Sequence, residues 1–142
     1  MKNKSKILIT SPARLHLGFM DLNGSLGRKF GSVGLAIDSI ETSITVSKNS
    51  MKDSLEINEA NKRAYDYSRL ILKAYEVDEN IKIEVHKKIP EHAGLGSGTQ
   101  LALTVGVAIS KLFNLNLSLM DIGKVLDRGN RSGIGIGAFE YG

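Results

Sequence analysis

The chain has 142 residues and a net charge of +4, with 42% hydrophobic and 24% charged residues, which is the balance of one ordinary globular domain. It contains no cysteine, so disulfides, thiolate catalysis and cysteine metal sites are excluded. Aromatic residues make up only 6% of the chain and no Lys/Arg-rich run is interleaved with them, so no nucleic-acid partner is expected.

No segment predicts secretion or membrane insertion. The basic N-terminus is followed by an apolar run over residues 7–9 only, which is too short for a signal-peptide core. The longest apolar stretch, residues 101–113, contains Lys111 and is far shorter than a membrane span. We therefore expect a cytoplasmic protein without a membrane partner. The mild positive charge suits anionic ligands, although a basic surface without a ligand explains it equally well.

The first half of the chain is dominated by strand patterns. Residues 6–19 are rich in apolar side chains and contain Pro12, which predicts a strand with an irregular middle. A glycine-rich loop separates it from two short strands over residues 33–37 and 42–46, the second with clear apolar and polar alternation. Residues 55–57 are a candidate extension of the same sheet.

Helix patterns dominate the second half. Apolar residues recur at three- and four-residue spacing over residues 60–74 and 101–112, and the strand pattern over 81–85 lies between these two predicted helices. Ser118 and Asp121 form a candidate capping box for a third helix. The glycine-rich end of the chain, residues 129–142, predicts a turn that leads into a strand.

Strands that cluster before helices indicate an α+β fold.

The most informative segment lies between the strand over 81–85 and the helix over 101–112. A helix that begins at a glycine-rich loop directs unpaired N–H groups and a positive dipole end at any bound ligand, which favours a phosphate. The predicted phosphate-binding residues are Gly94, Leu95, Gly96, Ser97, Gly98 and Thr99.

The spacing of this loop differs from the common nucleotide motifs. No Lys follows the last glycine, so it is not a Walker A loop, and G-x-G-x-G differs from the dinucleotide fingerprint. A purely structural alternative is a glycine-rich turn that caps the helix through Ser97 or Thr99.

Three segments together resemble the GHMP kinase superfamily. They are residues 11–19 (SPARLHLGF), 94–103 (GLGSGTQLAL) and 131–135 (RSGIG), and the similarity extends from about residue 7 to residue 142. The resemblance implies the superfamily's N-terminal domain, a ribosomal-protein-like α+β fold with a sheet layer, a helix layer and a left-handed βαβ crossover. This domain is expected to occupy residues 1–142.

Members of the superfamily carry a second α+β domain, and their active site lies between the two domains. The resemblance therefore implies that the C-terminal domain is absent from this chain, which would then be a fragment or one half of a split enzyme. The expected partners are a second chain that supplies the C-terminal domain, or a second copy in a homodimer, besides a phosphorylated small-molecule substrate.

Two departures distinguish the chain from the kinases of the superfamily. Gly135 stands where the kinases have an aspartate that acts on the attacking hydroxyl, and Gly98 replaces a serine near their magnesium site. A glycine can neither accept a proton nor hold a cation. The closer resemblance is to a non-kinase synthase branch that acts in methanopterin biosynthesis.

This branch implies a reaction in which 4-aminobenzoate condenses with phosphoribosyl pyrophosphate and releases CO2 and pyrophosphate. The expected cofactor is Mg²⁺, without an organic cofactor. Two alternatives stay open. One is an ATP-dependent kinase that uses ATP and Mg²⁺ on a homoserine- or mevalonate-like alcohol, and the other is a non-catalytic half of a split enzyme.

The remaining site residues are polar side chains close to the resembling segments. Arg14 and His16 share one face of their strand because they are two residues apart, and Arg14 is suited to clamp a phosphate or carboxylate. Alternatively, Arg14 is a solvated arginine on the sheet surface without a functional role, and His92 is an exposed loop histidine without one. The predicted catalytic residues are Arg14, His16 and Arg131, and the predicted substrate-binding residues are His92, Arg28 and Ser132.

Overall fold

The computed structural model describes residues 5–27, 29, 31–49, 59–129 and 132–142. Arg28, Arg131 and the candidate strand over residues 55–57 lie outside these ranges. The elements in chain order are β1 (Lys6–Phe19), β2 (Ser32–Lys48), α1 (Glu59–Ala74), β3 (Ile81–Lys87), α2 (Ser97–Leu112), α3 (Leu119–Val125) and α4 (Ile134–Tyr141). The α+β prediction is confirmed.

The sheet has three strands in the order β1-β2-β3, and both neighbouring pairs are antiparallel. The two short strands expected over 33–37 and 42–46 are one strand, β2, whose middle bulges where the register jumps between Pro12 and Ala13. Pro12 fits there because a bulge needs one ladder N–H fewer. The described strands contain no parallel neighbours, so the left-handed βαβ crossover stays a prediction.

Helix α2 is the centre of the hydrophobic core. Eleven of its sixteen residues are buried, as expected for a predominantly apolar helix in the core. It packs with Ile44 of β2, Ile71 of α1 and Ile122 of α3. Gly106 lies directly against Ile122, so α3 approaches the backbone of α2. The core thereby fixes the first turn of α2 relative to the sheet.

The C-terminal segment differs from its prediction. Residues 129–142 were expected to lead into a strand, but Ile134–Tyr141 form a helix. The alternation of isoleucine and glycine over residues 134–137 imitates the period of a strand, and eight residues are too few for the helical period to stand out. Tertiary packing decides the outcome, because Ile134 contacts Gly34 of β2 and Ala138 is buried.

The opposite side of the sheet is partly open. Leu8, Leu17 and Leu35 are 62%, 64% and 60% exposed, and Leu15, which pairs with Leu35 across β1 and β2, is 40% exposed. These apolar side chains are in contact with solvent in this chain. The helices therefore cover one side of the sheet while apolar side chains of β1 and β2 stay exposed on its surface.

Candidate functional site

The glycine-rich loop between β3 and α2 lies against strand β1. The backbone N–H of Arg14 donates to the Leu95 carbonyl at 3.0 Å, and the Arg14 Nη1 donates to the Gly94 carbonyl at 3.2 Å. Gly94 and Gly96 have φ angles of +72° and +78°, which glycine adopts without strain. The loop is therefore positioned by the strand that carries Arg14.

The first turn of α2 is open towards this loop. Its N-cap is Gly96 in the left-handed conformation, no side chain caps the helix and no acidic residue lies in the first turn. The alternative in which Ser97 or Thr99 caps the helix is therefore wrong. An uncapped helix start keeps its positive end available for an anion, as the phosphate-binding prediction requires.

Arg14 lies across Gly96. A Cβ atom at Gly96 would lie 2.9 Å from the Arg14 Nε, so only glycine leaves the guanidinium its place. The Nε is buried and has no hydrogen-bond partner among the described residues. Burial lowers the pKa of Arg14 below its usual range, yet an arginine stays protonated at physiological pH. A partly desolvated cation thus stands at the loop.

His16 shares a face with Arg14, as predicted, since both are half-buried while Leu15, which lies between them, and Leu17 are exposed. Its ring packs on Phe19, with the ring centroids 4.7 Å apart. The His16 Nε2 is buried and has no hydrogen-bond partner in the described part of the chain. The structure thus brings Arg14 to the loop and leaves His16 beside Phe19, and the catalytic role of His16 stays a prediction.

The other predicted site residues fall in different environments. His92 is exposed, with φ of 58°, and its substrate-binding role stays a prediction. The Ser132 hydroxyl hydrogen-bonds to the Ser32 hydroxyl at 2.8 Å and accepts the Ile134 N–H at 3.3 Å. Ser132 therefore holds the start of α4 to the start of β2.

Two arginines that the site prediction did not include lie beside Gly98, and Tyr67 joins them. A Cβ atom at Gly98 would lie 2.8 Å from the Arg63 Nη2 and 4.0 Å from the Arg128 Nη2. Both guanidinium groups donate to the Tyr67 hydroxyl, Arg63 at 3.5 Å and Arg128 at 2.8 Å. The i, i+4 spacing of Arg63 and Tyr67 puts them on one side of α1, but the spacing alone does not say that this side faces α2.

Gly135 occupies a closed position beside the loop. A Cβ atom there would lie 2.7 Å from the Thr99 Cγ2, and the Gln100 Nε2 donates to the Gly135 carbonyl at 2.8 Å. A longer side chain at this position requires Thr99 to move. Position 135 therefore provides no carboxylate, and a side chain there would meet Thr99.

Glu91 is an acidic residue at the beginning of the loop. Glu91 contacts the Lys88 Nζ at 3.0 Å and the Arg63 Nη1 at 3.6 Å, and its pKa lies below the usual range chiefly because Lys88 donates to it. No group of three or more His, Asp or Glu side chains that could hold a metal gathers in the described part of the chain. These residues do not form a carboxylate site for Mg²⁺, and the Mg²⁺ prediction remains untested.

None of the helices within the described ranges is both long and apolar enough to cross a membrane.

Residues 61–142 match the model of the GHMP kinases N terminal domain. The chain is 40% identical to the Beta-ribofuranosylphenol 5'-phosphate synthase of Methanocaldococcus jannaschii over 96% of this chain, and 37% identical to that of Archaeoglobus fulgidus over 94%. The matches cover 45% and 42% of those two proteins. The chain therefore spans a little less than half the length of these curated relatives.

Solved structures support the fold. A homoserine kinase from Cytophaga hutchinsonii superimposes with a TM-score of 0.66 at 19% identity, covering 98% of this chain and 44% of that one. A 4-(cytidine 5'-diphospho)-2C-methyl-D-erythritol kinase superimposes with a TM-score of 0.65 at 22% identity, covering 88% of this chain and 47% of that one. At these identities the likeness concerns the fold alone.

Proposed function

The chain belongs to the GHMP kinase family, and we propose that it forms the phosphate-binding part of a β-ribofuranosylphenol (or β-ribofuranosylaminobenzene) 5′-phosphate synthase. The observation that carries the proposal is the uncapped start of α2 at Gly96, with the Arg14 guanidinium lying against it. The 30% to 40% identity of three relatives with that printed name supports the choice of reaction.

The proposed reaction joins phosphoribosyl pyrophosphate to a benzoate with an electron-donating group in the 4-position. The bond between the anomeric carbon and the pyrophosphate oxygen breaks, and the ring carbon that carries the carboxylate bonds to the anomeric carbon. The carboxylate then leaves as CO2, and the electron pair of its bond returns to the ring. No net proton transfer is needed. A 4-hydroxybenzoate gives a phenol product and a 4-aminobenzoate gives an aminobenzene.

The residues of this chain contribute mainly charge and position. The N–H groups at the start of α2 and the Arg14 guanidinium would bind substrate phosphate oxygens, because both present positive charge at the same loop. Preorganised donors that meet the charge of a departing pyrophosphate stabilise the transition state more than the ground state. Mg²⁺, if bound with the pyrophosphate, would add positive charge there.

The kinase alternative receives less support. A kinase needs a group that accepts the proton of the attacking hydroxyl or orients it. Gly135 has no side chain, and a Cβ atom in its place would meet the Thr99 Cγ2 at 2.7 Å. The anion-binding features at Gly96 and Arg14 do not depend on that position, so they serve a phosphoribosyl substrate equally well.

Calorimetric titration of the chain with phosphoribosyl pyrophosphate and, separately, with ATP tests the proposal, with Mg²⁺ in both experiments. We expect saturable binding of phosphoribosyl pyrophosphate and much weaker binding of ATP. Preferential binding of ATP would overturn the synthase proposal and favour the kinase.

Turnover needs a separate assay because the chain spans less than half of its curated relatives. CO2 release from carboxyl-labelled 4-hydroxybenzoate and 4-aminobenzoate can be measured with the chain alone and with the separately produced C-terminal half of the M. jannaschii relative. Release only in the mixture would identify the chain as one half of a composite enzyme. Phosphoryl transfer from ATP in the mixture, without CO2 release, would contradict the synthase.

A further inference from the structure

Two arginines from different elements meet beside Gly98. Arg63 lies on α1 and Arg128 follows α3, 65 residues further along the chain. Both donate to the hydroxyl of Tyr67, a residue that is only 8% exposed. The Arg128 guanidinium also lies over the Tyr67 ring, 5.7 Å from its centroid. Tyr67 therefore holds the two guanidinium groups at one place.

This cluster has more positive than negative charge. Arg63 shares the single carboxylate of Glu91 with Lys88. Arg128 makes no ion pair within the described ranges, and its Nε is buried without a hydrogen-bond partner there. Two like charges held close together repel each other, and a half-buried site screens them less than open solvent does. A bound anion would remove this cost.

The lack of a side chain at Gly98 leaves room for the Arg63 guanidinium. A Cβ atom at Gly98 would lie 2.8 Å from the Arg63 Nη2, so the guanidinium occupies the volume that a larger residue would take. Gly98 itself belongs to the first turn of α2, whose N-cap is Gly96. The two arginines therefore stand beside the first turn of α2, two residues after the Gly96 contact with Arg14.

We propose that Arg63 and Arg128, held by Tyr67, form a second anion subsite beside Gly98 that binds one phosphate of a diphosphate whose other phosphate lies at the glycine-rich loop. The inference rests on the proposed function, because it names the part of that substrate which the subsite takes. Arginine forks bind phosphate oxygens in pairs. The subsite therefore distinguishes a diphosphate from a single phosphate.

The same subsite would act on the leaving group. When the bond to the anomeric carbon breaks, the electron pair of that bond stays on the pyrophosphate oxygen and its negative charge increases. Two fixed guanidinium groups meet that charge without having to move, which is the arrangement that favours charge development in a transition state. Tyr67 is a positioning residue in this scheme because it acts through the arginines.

Calorimetric titration of the full 142-residue chain with inorganic pyrophosphate and with orthophosphate tests the subsite. We expect Arg63→Gln and Arg128→Gln each to weaken pyrophosphate binding by about tenfold or more, the usual effect of losing charge-assisted hydrogen bonds. Orthophosphate binding should change by about twofold or less, because a single phosphate remains at the loop. Tyr67→Phe should weaken pyrophosphate binding to a smaller extent while it keeps the packing of the ring.

Arg69→Gln is the matched control. Arg69 is an exposed arginine on the same helix, six residues closer to the C-terminal end than Arg63, and its replacement removes the same charge. Arg128→Lys keeps the positive charge but removes the two-pronged geometry of the guanidinium group. We expect it to bind pyrophosphate more tightly than Arg128→Gln does, but less tightly than the unmodified chain. Thermal denaturation of every variant checks that the fold is intact, and Arg63→Lys replaces Arg63→Gln if the latter unfolds.

Two outcomes overturn the subsite. One is pyrophosphate affinity that is unchanged in both arginine variants or absent in the unmodified chain. The other is an equal loss in Arg69→Gln, which would show a general effect of net charge. The synthase proposal fails independently if the unmodified chain prefers ATP to phosphoribosyl pyrophosphate. In that case a selective loss of pyrophosphate binding in the arginine variants would still establish the subsite.

Discussion

Replacing Gly96 by alanine tests how the loop, helix α2 and Arg14 depend on one another. Gly96 has φ of +78°, a region that costs an L-residue about 1–2 kcal/mol. The new Cβ atom would also lie 2.9 Å from the Arg14 Nε and 3.0 Å from its Cγ. Arg14 would have to leave its present rotamer, which costs about 0.5–1.5 kcal/mol.

The two costs together predict that Gly96→Ala lowers the free energy of unfolding by about 1.5–3.5 kcal/mol. For a chain of this length, such a loss lowers Tm by about 5–10 °C. The variant should also bind orthophosphate more weakly, because the displaced guanidinium no longer lies at the start of α2. Thermal denaturation and calorimetry measure the two effects separately.

Gly94→Ala is the control for the backbone cost alone. Gly94 has φ of +72°, and a Cβ atom there would have no neighbour within 4 Å. We expect it to lose about 1–2 kcal/mol and to keep most of its orthophosphate affinity. The difference between the two variants in stability and in orthophosphate affinity therefore measures the effect of the contact with Arg14. Equal losses of stability and affinity in both would refute the position of Arg14 described here.

Three further substitutions test other parts of the fold. Gly137→Ala should stabilise α4 by about 0.5–1 kcal/mol in thermal denaturation, because a Cβ atom there meets nothing within 4 Å; a loss of stability would contradict the helix. Gly135→Asp should destabilise the chain by about 1–3 kcal/mol through its contact with Thr99 without creating phosphoryl transfer from ATP, and detectable transfer would revive the kinase alternative. Hydrogen bonds from Ser118 lower the pKa of Asp121. The capping pair therefore stabilises the chain at pH values above the usual pKa of an aspartate, and this stability is lost as the pH falls through the lowered pKa. Ser118→Ala should cost about 1 kcal/mol at pH 7, and a denaturation series in acid should show a smaller loss for the variant than for the unmodified chain.

The features that the sequence predicted well are set by short-range interactions. The capping box of Ser118 and Asp121 needs only a few consecutive residues, and both of its hydrogen bonds are present. The glycine-rich loop can likewise be predicted from its local sequence, because the left-handed φ angles at Gly94 and Gly96 favour glycine. The apolar period of α2 was long enough to identify a helix.

The features that it missed depend on contacts between distant residues. Arg63, Tyr67 and Arg128 meet only because α1 and α3 both pack on α2. Nothing in the spacing of these three residues indicates that meeting. Helix α4 was predicted as a strand because its short isoleucine and glycine pattern fits both periods, and its contacts with β2 and Thr99 decide between them.

The partly open sheet has a thermodynamic consequence. Leu8, Leu17 and Leu35 are already in contact with water in the folded chain, so unfolding adds little new apolar hydration at these positions. Since apolar exposure dominates the heat capacity change of unfolding, that change should fall below the usual value of about 12–15 cal/mol/K per residue. The stability curve of the chain is then flatter with temperature than that of a domain whose sheet is covered on both sides.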